Sequence, residues 1–468
     1  MECAGRSKPL GHGRCKMKLS LRKNSSNAAF SRRKLLQGAS AGIAASILAP
    51  ASSWSQAGRA EGGSSMPRLP AITPESLPKA WTTEEIHRRW AGVRQRMKEA
   101  NLDALLVCQH HSGEMITERQ DGDADVEYLT GISLPFKWVV LPYEGKVTAF
   151  STNQVKGAPE EKLAQDRGID VRVARGPWSA GIIDAMKEAN LGQGRIGVTD
   201  LVDASRQTEG EVTYTTYDAV LKAFPQAKFQ PTSYLIDGVA ALHSAEEIAV
   251  LEKSTQVGEL GLQAMFATAR PGVPQRTVWL AMFSAMVNAS GERPFRVSVR
   301  ADGEGNSALN RPLEEVMRAG QVLSQECSAC VLGYGSQVNH SVVVGSSAPA
   351  DWDAAAKDSI DTFQEMVALV APGKTVKEVC APFDKRLVAR GEKPGALVIH
   401  SGGLGTLPRG GSAPPFGETV LKAGMVFDMK PTIRLKSGGT AQFGDSVLVT
   451  EKGARRLGKR EMKIVKLS

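Results

Sequence analysis

The stretches Gly424-Met425-Val426-Phe427 and Asp445-Ser446-Val447-Leu448-Val449-Thr450-Glu451 decide the fold of the C-terminal part of the chain. Their Val, Phe and Thr content predicts strands within Met425 to Thr450. An earlier stretch of the same character, Val322 to Val344, contains Gly333-Tyr334. The C-terminal part therefore holds two separate runs of predicted strands.

A helical segment precedes each run of strands. Ala269-Arg270-Pro271-Gly272 precedes one predicted helix, and Ala371-Pro372-Gly373 precedes the other. A longer amphipathic helix starts near Ser244 to Ile248 and opens this part of the chain. This weak internal repeat predicts two helix pairs packed against one curved sheet, related by a pseudo-twofold axis.

The preceding residues alternate between helical and strand patterns. Thr82 to Glu85 is a capped helix start. Apolar residues then follow at helical spacing, at Ile86, Trp90, Val93 and Met97. Ala104 to Val107 and Val126 to Gly131 are expected to be strands, and the alternation continues to about Tyr234. We expect a layered α/β domain, so that the whole chain is of the mixed α/β (α+β) class.

The N-terminus has the pattern of an export signal. Ser31-Arg32-Arg33-Lys34-Leu35-Leu36 is a twin-arginine motif, a short apolar stretch follows, and Ser55-Gln56-Ala57 offers a cleavage site. The apolar stretch is too short for a stable membrane span, and no other segment is apolar enough. The sequence therefore predicts a periplasmic protein whose export partner is the twin-arginine machinery.

The net charge of +9 belongs to this leader. Residues 1–57 contain ten Lys and Arg against one Asp or Glu, so the totals of 58 and 49 leave 48 of each sign. A mature chain without net charge gives no indication of a nucleic acid partner. We divide the sequence into a signal peptide (1–57), a linker (58–80), an N-terminal domain (81–238) and a C-terminal domain (239–468).

Four segments in this order resemble the creatinase, Xaa-Pro aminopeptidase and prolidase family, which has the "pita-bread" fold. They are Val126 to Gly131, Ser244 to Ile248, Gly333-Tyr334 within its strands, and Gly424 to Phe427 together with Asp445 to Glu451. The resemblance covers nearly all of the mature chain. It implies a creatinase-like N-terminal domain and a C-terminal pita-bread domain. Because members of the creatinase branch are commonly dimers, it also implies a homodimer.

Catalytic members of that family usually bind two metal ions through Asp, Asp, His, Glu and Glu. The matching positions here are Glu326, Gln337, Gly402, Lys430 and Gly444, with Gly403 or His400 as alternatives for the histidine position. Two hard divalent cations need several carboxylates, whereas this set keeps one and adds a cation. We therefore expect no metal and no other cofactor.

The altered positions suggest a different site. The resemblance places Lys430 and Glu326 together, with Glu326 as counter-ion and Gln337 as a hydrogen-bonding neighbour. Such a lysine can bind a substrate carboxylate or act as a base, and a structural ion pair that fills an obsolete metal hole is the alternative.

Other polar residues extend this candidate site. His340, beside Asn339, can supply an acid/base group because histidine titrates near neutral pH, although a core histidine is the simpler interpretation. His400 and Arg409 flank a glycine-rich stretch and can attract an anionic substrate. We thus predict Glu326, His340 and Lys430 as catalytic residues, and Gln337, Asn339, His400 and Arg409 as substrate-binding residues.

Three functions remain open. The first is an exported, metal-independent, creatinase-like hydrolase or lyase for a small nitrogen-containing, carboxylated molecule. The second is a non-catalytic binding or scaffold protein with the same fold. The third is an Xaa-Pro aminopeptidase or prolidase in which the five positions have been wrongly aligned.

Overall fold

The computed structural model describes residues 72, 74–108, 124–132, 136–152, 156–202, 209–232, 234–302, 314–404 and 411–467. The predicted twin-arginine leader and most of the predicted linker lie outside these residues. All of the described residues belong to one compact unit. None of the helices within the described ranges is long and apolar enough to cross a membrane.

The first part of the described chain alternates between helices and strands. The helices are α1 (Thr83–Glu99), α2 (Ala124–Thr130), α3 (Pro159–Arg167), α4 (Trp178–Glu188), α5 (Tyr214–Ala223) and α6 (Asp237–Ala240). The strands are β1 (Ala104–Cys108), β2 (Phe136–Pro142), β3 (Val147–Ser151), β4 (Ile169–Val173), β5 (Arg195–Val198) and β6 (Lys228–Pro231). The side chain of Thr82 accepts from the N–H of Glu85, so α1 has the N-cap that the sequence predicts.

These six strands form one mixed sheet in the order β4-β3-β2-β1-β5-β6. β1 is antiparallel to β2 and parallel to β5, with Leu106 opposite Val140 on one side and Val198 on the other. Helices α4 and α5 cover one face through a core that includes Trp138, Phe150 and Ile182. The layered α/β architecture predicted for this part is therefore present.

The segment from Val126 to Gly131, expected to be a strand, is helical instead. Val126, Tyr128, Leu129 and Thr130 are all buried, which is not the alternation of a half-buried strand. The hydroxyl of Thr130 donates to the carbonyl of Val126, and Gly131 ends the helix with a positive φ of 61°. A short apolar run fits either element, and the packing of this one favours a helical turn.

The second part consists of two successive units of helices and strands. The first contains α7 (Ala245–Thr268), α8 (Gln275–Ser290), β7 (Arg296–Ala301), β8 (Val322–Val331), β9 (Tyr334–His340) and β10 (Val342–Val344). The second contains α9 (Trp352–Leu369), α10 (Val376–Ala389), β11 (Ile399–Ser401), β12 (Val426–Met429), β13 (Thr432–Arg434), β14 (Thr440–Thr450), β15 (Gly453–Arg456) and β16 (Lys466–Leu467). Both α7 and α10 begin with a complete capping box.

Matching hydrogen bonds show that the two units are structural repeats. The N–H of Gly272 donates to the carbonyl of Met317, and that of Gly373 donates to Leu421, both at 2.9 Å. Glu326 follows Met317 at the same spacing at which Lys430 follows Leu421. The repeat thus places Glu326 and Lys430 at equivalent positions in the two halves.

Strands of both units join in a second sheet with the order β11-β12-β14-β9-β8-β10-β16. Strand β7 adds to β8, whereas β13 and β15 add to β14. The face that carries Cys327 and Val338 packs on α7, where a Cβ at Gly258 would lie 3.0 Å from Val338. Residues one position along each strand point to the opposite face, which is where the candidate site lies.

Candidate functional site

A row of polar side chains crosses the second sheet on the face away from α7. We call these residues the polar row: Arg296, Ser328, Gln337, Ser446, Asp428 and His400. Cross-strand pairing aligns Arg296 with Ser328 and the residues that follow, and paired residues share a face. Where β9 meets β14, the N–H of Gln337 donates to Ser446 Oγ at 3.1 Å. The row joins six strands drawn from both repeats.

Glu326 and Lys430 form a buried ion pair directly beside the polar row. Glu326 lies on β8, Lys430 follows the last residue of β12, and the Lys430 ammonium donates to Glu326 Oε1. Gln337 Nε2 donates to the same oxygen at 2.6 Å. The structure therefore brings three of the predicted site residues into direct contact.

Arg296 is a second cation at this pair. Its Nε lies 3.1 Å from Glu326 Oε2. Burial raises the pKa of Glu326, but the charges of Lys430 and then Arg296 outweigh burial and hold that pKa well below its usual range. Glu326 is thus a permanent counter-ion rather than a proton donor. No local pattern in the sequence marks Arg296, because its position depends on the register of β7 against β8.

The amide of Gln337 links Glu326 to His400. Its Nε2 donates to Glu326 and, at 3.0 Å, to Ser328 Oγ, so that its Oε1 faces away from both. His400 Nε2 lies 3.3 Å from that oxygen and is the donor, since a carbonyl oxygen only accepts. His400 Nδ1 lies 3.0 Å from the carbonyl of Ser401. His400, predicted to bind substrate, therefore lies within the candidate site.

Asp428 is a buried acid of the polar row that the sequence reasoning missed. Its Oδ1 accepts from the hydroxyl of Ser446 and from the N–H of Gln337, whereas its Oδ2 lies 3.6 Å from His400 Nδ1. Burial raises the pKa of Asp428 to about 7, although the Ser446 hydrogen bond and the charge of Lys430 oppose this. The period of two along a strand would have found it, since Asp428 lies two residues before Lys430.

Two glycines shape the space around these groups. A Cβ at Gly444 would lie 2.4 Å from the carbonyl oxygen of Met429 and 2.8 Å from Lys430 Cβ. A Cβ at Gly402 would lie 3.0 Å from a methyl group of Val426 and 3.7 Å from Asp428 Oδ1. Gly444 therefore leaves room for Lys430 to cross β14, and Gly402 leaves the side of Asp428 open.

The structure places His340 away from this site. It follows Asn339 directly, so its ring points to the other face, between Phe266 and Phe443. His340 Nε2 bonds to the carbonyl of Lys463 at 2.9 Å, and burial lowers its pKa to about 3. This is the geometry of a neutral core histidine and does not support the acid/base role predicted for it.

Of the remaining two predicted residues, Asn339 forms its side-chain hydrogen bonds away from Glu326 and Lys430 in the part of the chain that the structure describes. Asn339 is on the same face, but its Nδ2 donates to the carbonyl of Gln325 and to Gln442 Oε1, at 3.0 and 3.2 Å. This makes Asn339 a structural link between β8, β9 and β14. Arg409 lies outside the described residues.

The groups at this site do not match the ligand set of a dinuclear metal centre. Within the described ranges, no three His, Cys, Asp or Glu side chains are grouped so that they could hold a metal ion. At the five positions that we aligned with metal ligands from the sequence, Lys430 places an ammonium group against Glu326, which is the one carboxylate among them. A carboxylate side chain at position 444 would collide with the backbone of Met429. We therefore derive no reaction step through a metal.

Comparisons with known proteins agree with this architecture. The model of the creatinase/prolidase N-terminal domain matches residues 89–239. The model of metallopeptidase family M24 matches residues 249–451. The two models meet near the junction of α6 and α7, and together they cover the first sheet and every strand of the second sheet except β15 and β16.

Individual relatives have low sequence identity to this chain, but the matches extend over much of their length. A creatinase from a Bacillus species is 22% identical over 416 residues, which is 82% of this chain and 93% of the relative. An Xaa-Pro dipeptidase from Pyrococcus furiosus is 26% identical over 266 residues, 55% of this chain and 74% of the relative. The solved Xaa-Pro dipeptidase of Bacillus anthracis superimposes with a TM-score of 0.66 at 19% identity, covering 82% of this chain and all of that one. The structural likeness shows the pita-bread fold.

Proposed function

The chain belongs to the creatinase and M24 metallopeptidase family, and we propose that it is a creatinase-like hydrolase that works without a dinuclear metal centre. Its substrate in this proposal is a small, nitrogen-containing molecule with a carboxylate group. The observation that carries the proposal is the buried contact between Lys430 and Glu326, two residues that we aligned with metal ligands of the family. Relatives named as a creatinase and as Xaa-Pro dipeptidases support hydrolysis of a bond to nitrogen.

The charge at the site supports independence from metal. Lys430 and Arg296 both lie against Glu326, so two cations already contact that carboxylate. A divalent cation there would have to displace Lys430 and then lie beside Arg296. Coulomb repulsion in a poorly hydrated environment disfavours both arrangements.

The same charge favours an anionic substrate. An ammonium group has three N–H bonds, and within the described residues only Glu326 accepts from that of Lys430. A substrate carboxylate would supply the missing acceptors. Binding through a charge-assisted hydrogen bond contributes about 1.5–3 kcal/mol.

The reaction consistent with this site is the hydrolysis of a C–N bond, in which water cleaves the bond. The carbon gains the hydroxyl group, the nitrogen leaves with the hydrogen, and no oxidant or reductant is needed. Asp428 can exchange a proton in this process, because its pKa of about 7 allows both forms near neutral pH. Glu326 remains ionised and keeps Lys430 in place.

Export is a separate part of the proposal. It is supported by Arg32-Arg33 followed by the apolar stretch and Ala57 in the sequence. Fusion of residues 1–57 to a reporter should direct the reporter to the periplasm, and Arg32→Lys with Arg33→Lys should keep it in the cytoplasm. A reporter that stays in the cytoplasm with the native arginines would contradict export.

Metal content is the first test of the catalytic proposal. The mature protein is incubated with Mn, Fe, Co or Zn salts, freed of excess metal and analysed by mass spectrometry. We expect no retained metal, and hydrolysis of members of a panel of amides, guanidines and amino acid derivatives. Two tightly bound equivalents would instead favour the peptidase interpretation.

Variants at the site separate catalysis from binding. Lys430→Met should abolish turnover and carboxylate binding, whereas Lys162→Met, in an exposed ion pair with Asp166, should change neither. Carboxylate binding without turnover of any panel member would refute the hydrolase and favour the non-catalytic binding protein.

A further inference from the structure

The polar row contains a second binding group whose chemistry is opposite to that of Lys430. Asp428 and Lys430 lie on the same face two residues apart, so their Cα atoms are separated by about 7 Å. Both side chains are buried. One presents an acid and the other a cation to the same side of the sheet.

The hydrogen bonds of Asp428 leave one of its oxygens available. Both donors, the Ser446 hydroxyl and the Gln337 N–H, bind to Oδ1. Oδ2 lies 3.6 Å from His400 Nδ1, which is too long for a hydrogen bond. Among the residues that the structure describes, no Lys or Arg side chain forms an ion pair with Asp428. Oδ2 is therefore an acceptor to which an N–H group of a ligand can donate.

Lys430 has the complementary capacity. Its side chain crosses β14 above Gly444 and ends at Glu326, the single acceptor that the described residues offer it. Gln337 is already committed as a donor to Glu326 and Ser328, so it adds no acceptor for the ammonium. The other N–H bonds of Lys430 are therefore able to donate to oxygen atoms of a ligand.

We propose that this site binds a dipolar molecule whose carboxylate contacts Lys430 and whose N–H group contacts Asp428 Oδ2. This inference rests on the proposed function, since it concerns the same site, and adds Asp428 as the residue that selects for nitrogen. Gly402 keeps the surroundings of the Asp428 carboxylate open, because a Cβ there would lie 3.7 Å from Oδ1. Lys430 ends at Glu326 on β8, whereas Asp428 lies on β12, with β14 and β9 between these strands. We therefore expect a ligand whose nitrogen and carboxylate are several bonds apart.

Matched ligands with and without nitrogen test this directly. Isothermal titration calorimetry near pH 8 compares γ-aminobutyrate with butyrate and ε-aminocaproate with caproate, and glycine serves as the short dipolar ligand. We expect the longer amino acid of at least one pair to bind about tenfold more tightly than its counterpart without nitrogen. Glycine should bind weakly.

Three variants assign the two ends of the ligand. Asp428→Asn keeps nearly the same side-chain shape. Both members of each pair should bind this variant with about equal affinity, and carboxylate binding should persist. Lys430→Met should abolish binding of both members of each pair. Asp353→Asn, at an exposed position, should behave as the wild type. Thermal unfolding of each variant shows that it is folded.

The outcomes are distinguishable. A preference for nitrogen that survives Asp428→Asn, equal binding of both members of each pair, or no binding of any ligand would overturn the inference. These ligands contain no bond to hydrolyse, so the result does not depend on turnover. Loss of catalysis with retained dipolar binding would refute the hydrolase alone.

Discussion

The buried pair of Lys430 and Glu326 predicts a strong energetic coupling between the two residues. Lys430→Met removes the ammonium but leaves Glu326 with Arg296 at 3.1 Å and Gln337 at 2.6 Å. We expect a loss of about 2–3 kcal/mol in the free energy of unfolding, below the 3–5 kcal/mol typical of a broken buried pair. Glu326→Gln leaves the ammonium without an acid and should cost about 3–5 kcal/mol.

The double variant should be more stable than the sum of these losses predicts. When Lys430→Met and Glu326→Gln are combined, no charge of the pair remains buried, and Arg296 is partly exposed and can be hydrated. We expect a total cost of about 1–2 kcal/mol, which corresponds to a coupling of about 5 kcal/mol.

Urea-induced unfolding of the four proteins measures the coupling from the transition midpoints. The exposed pair Lys162–Asp166, 2.7 Å apart, is the control and should couple by less than about 0.5 kcal/mol. If the Lys430 and Glu326 losses simply add, the two side chains do not interact in solution as the structure describes, and our reasoning about the site fails.

Further predictions concern packing, pH and the thiols. Gly444→Ala should lower the free energy of unfolding by about 1–3 kcal/mol because its Cβ meets Met429 and Lys430, whereas Gly402→Ala, facing a movable Val426 methyl group, should cost less; urea unfolding compares them. Because folding raises the pKa of Asp428 to about 7, this residue makes the free energy of unfolding fall as pH rises from about 4 to 7, by up to about 4 kcal/mol. The difference in the free energy of unfolding between Asp428→Asn and wild type should therefore change across that pH range. A constant difference would contradict a raised pKa of Asp428 in the folded protein. Folding lowers the pKa of His340 to about 3, so stability due to that residue should be lost as pH falls from about 6.5 to 3, and His340→Gln should weaken this acid sensitivity. Burial raises the pKa of Cys108, Cys327 and Cys380 to about 12, so a thiol reagent should label them only after unfolding, as read by peptide mapping.

The internal repeat, and the contact between its two halves through Glu326 and Lys430, were both predicted from the sequence. Pro-Gly turns before helices and runs of strand-forming residues are local signals, and both repeats form them. Once the repeats pair in one sheet, Glu326 and Lys430 are brought together by topology. The resemblance to a known family supplied that topology, which no local signal contains.

The errors come from side-chain direction and register. His340 was grouped with Asn339 although adjacent residues of a strand point to opposite faces, and the same rule would have found Asp428 from Lys430. Arg296 follows from the pairing of β7 with β8, which is a tertiary property. Val126 to Gly131 became a helix because its packing, rather than its strand propensity, determined its conformation.

The details of the site argue against the interpretation that Lys430 and Glu326 are only a structural ion pair, filling space where metal ions bind in the catalytic members of the family. Apolar side chains of similar volume fill a buried hole at least as stably as an ion pair, because they avoid the cost of desolvating two charges. Here, instead, a buried ammonium has one acceptor among the described residues, and a buried aspartate on the same strand has an oxygen without a hydrogen bond. Glycine at position 444 fits the path of the lysine side chain. The dipolar ligand that we propose would pair with both groups, its carboxylate with Lys430 and its N–H group with Asp428.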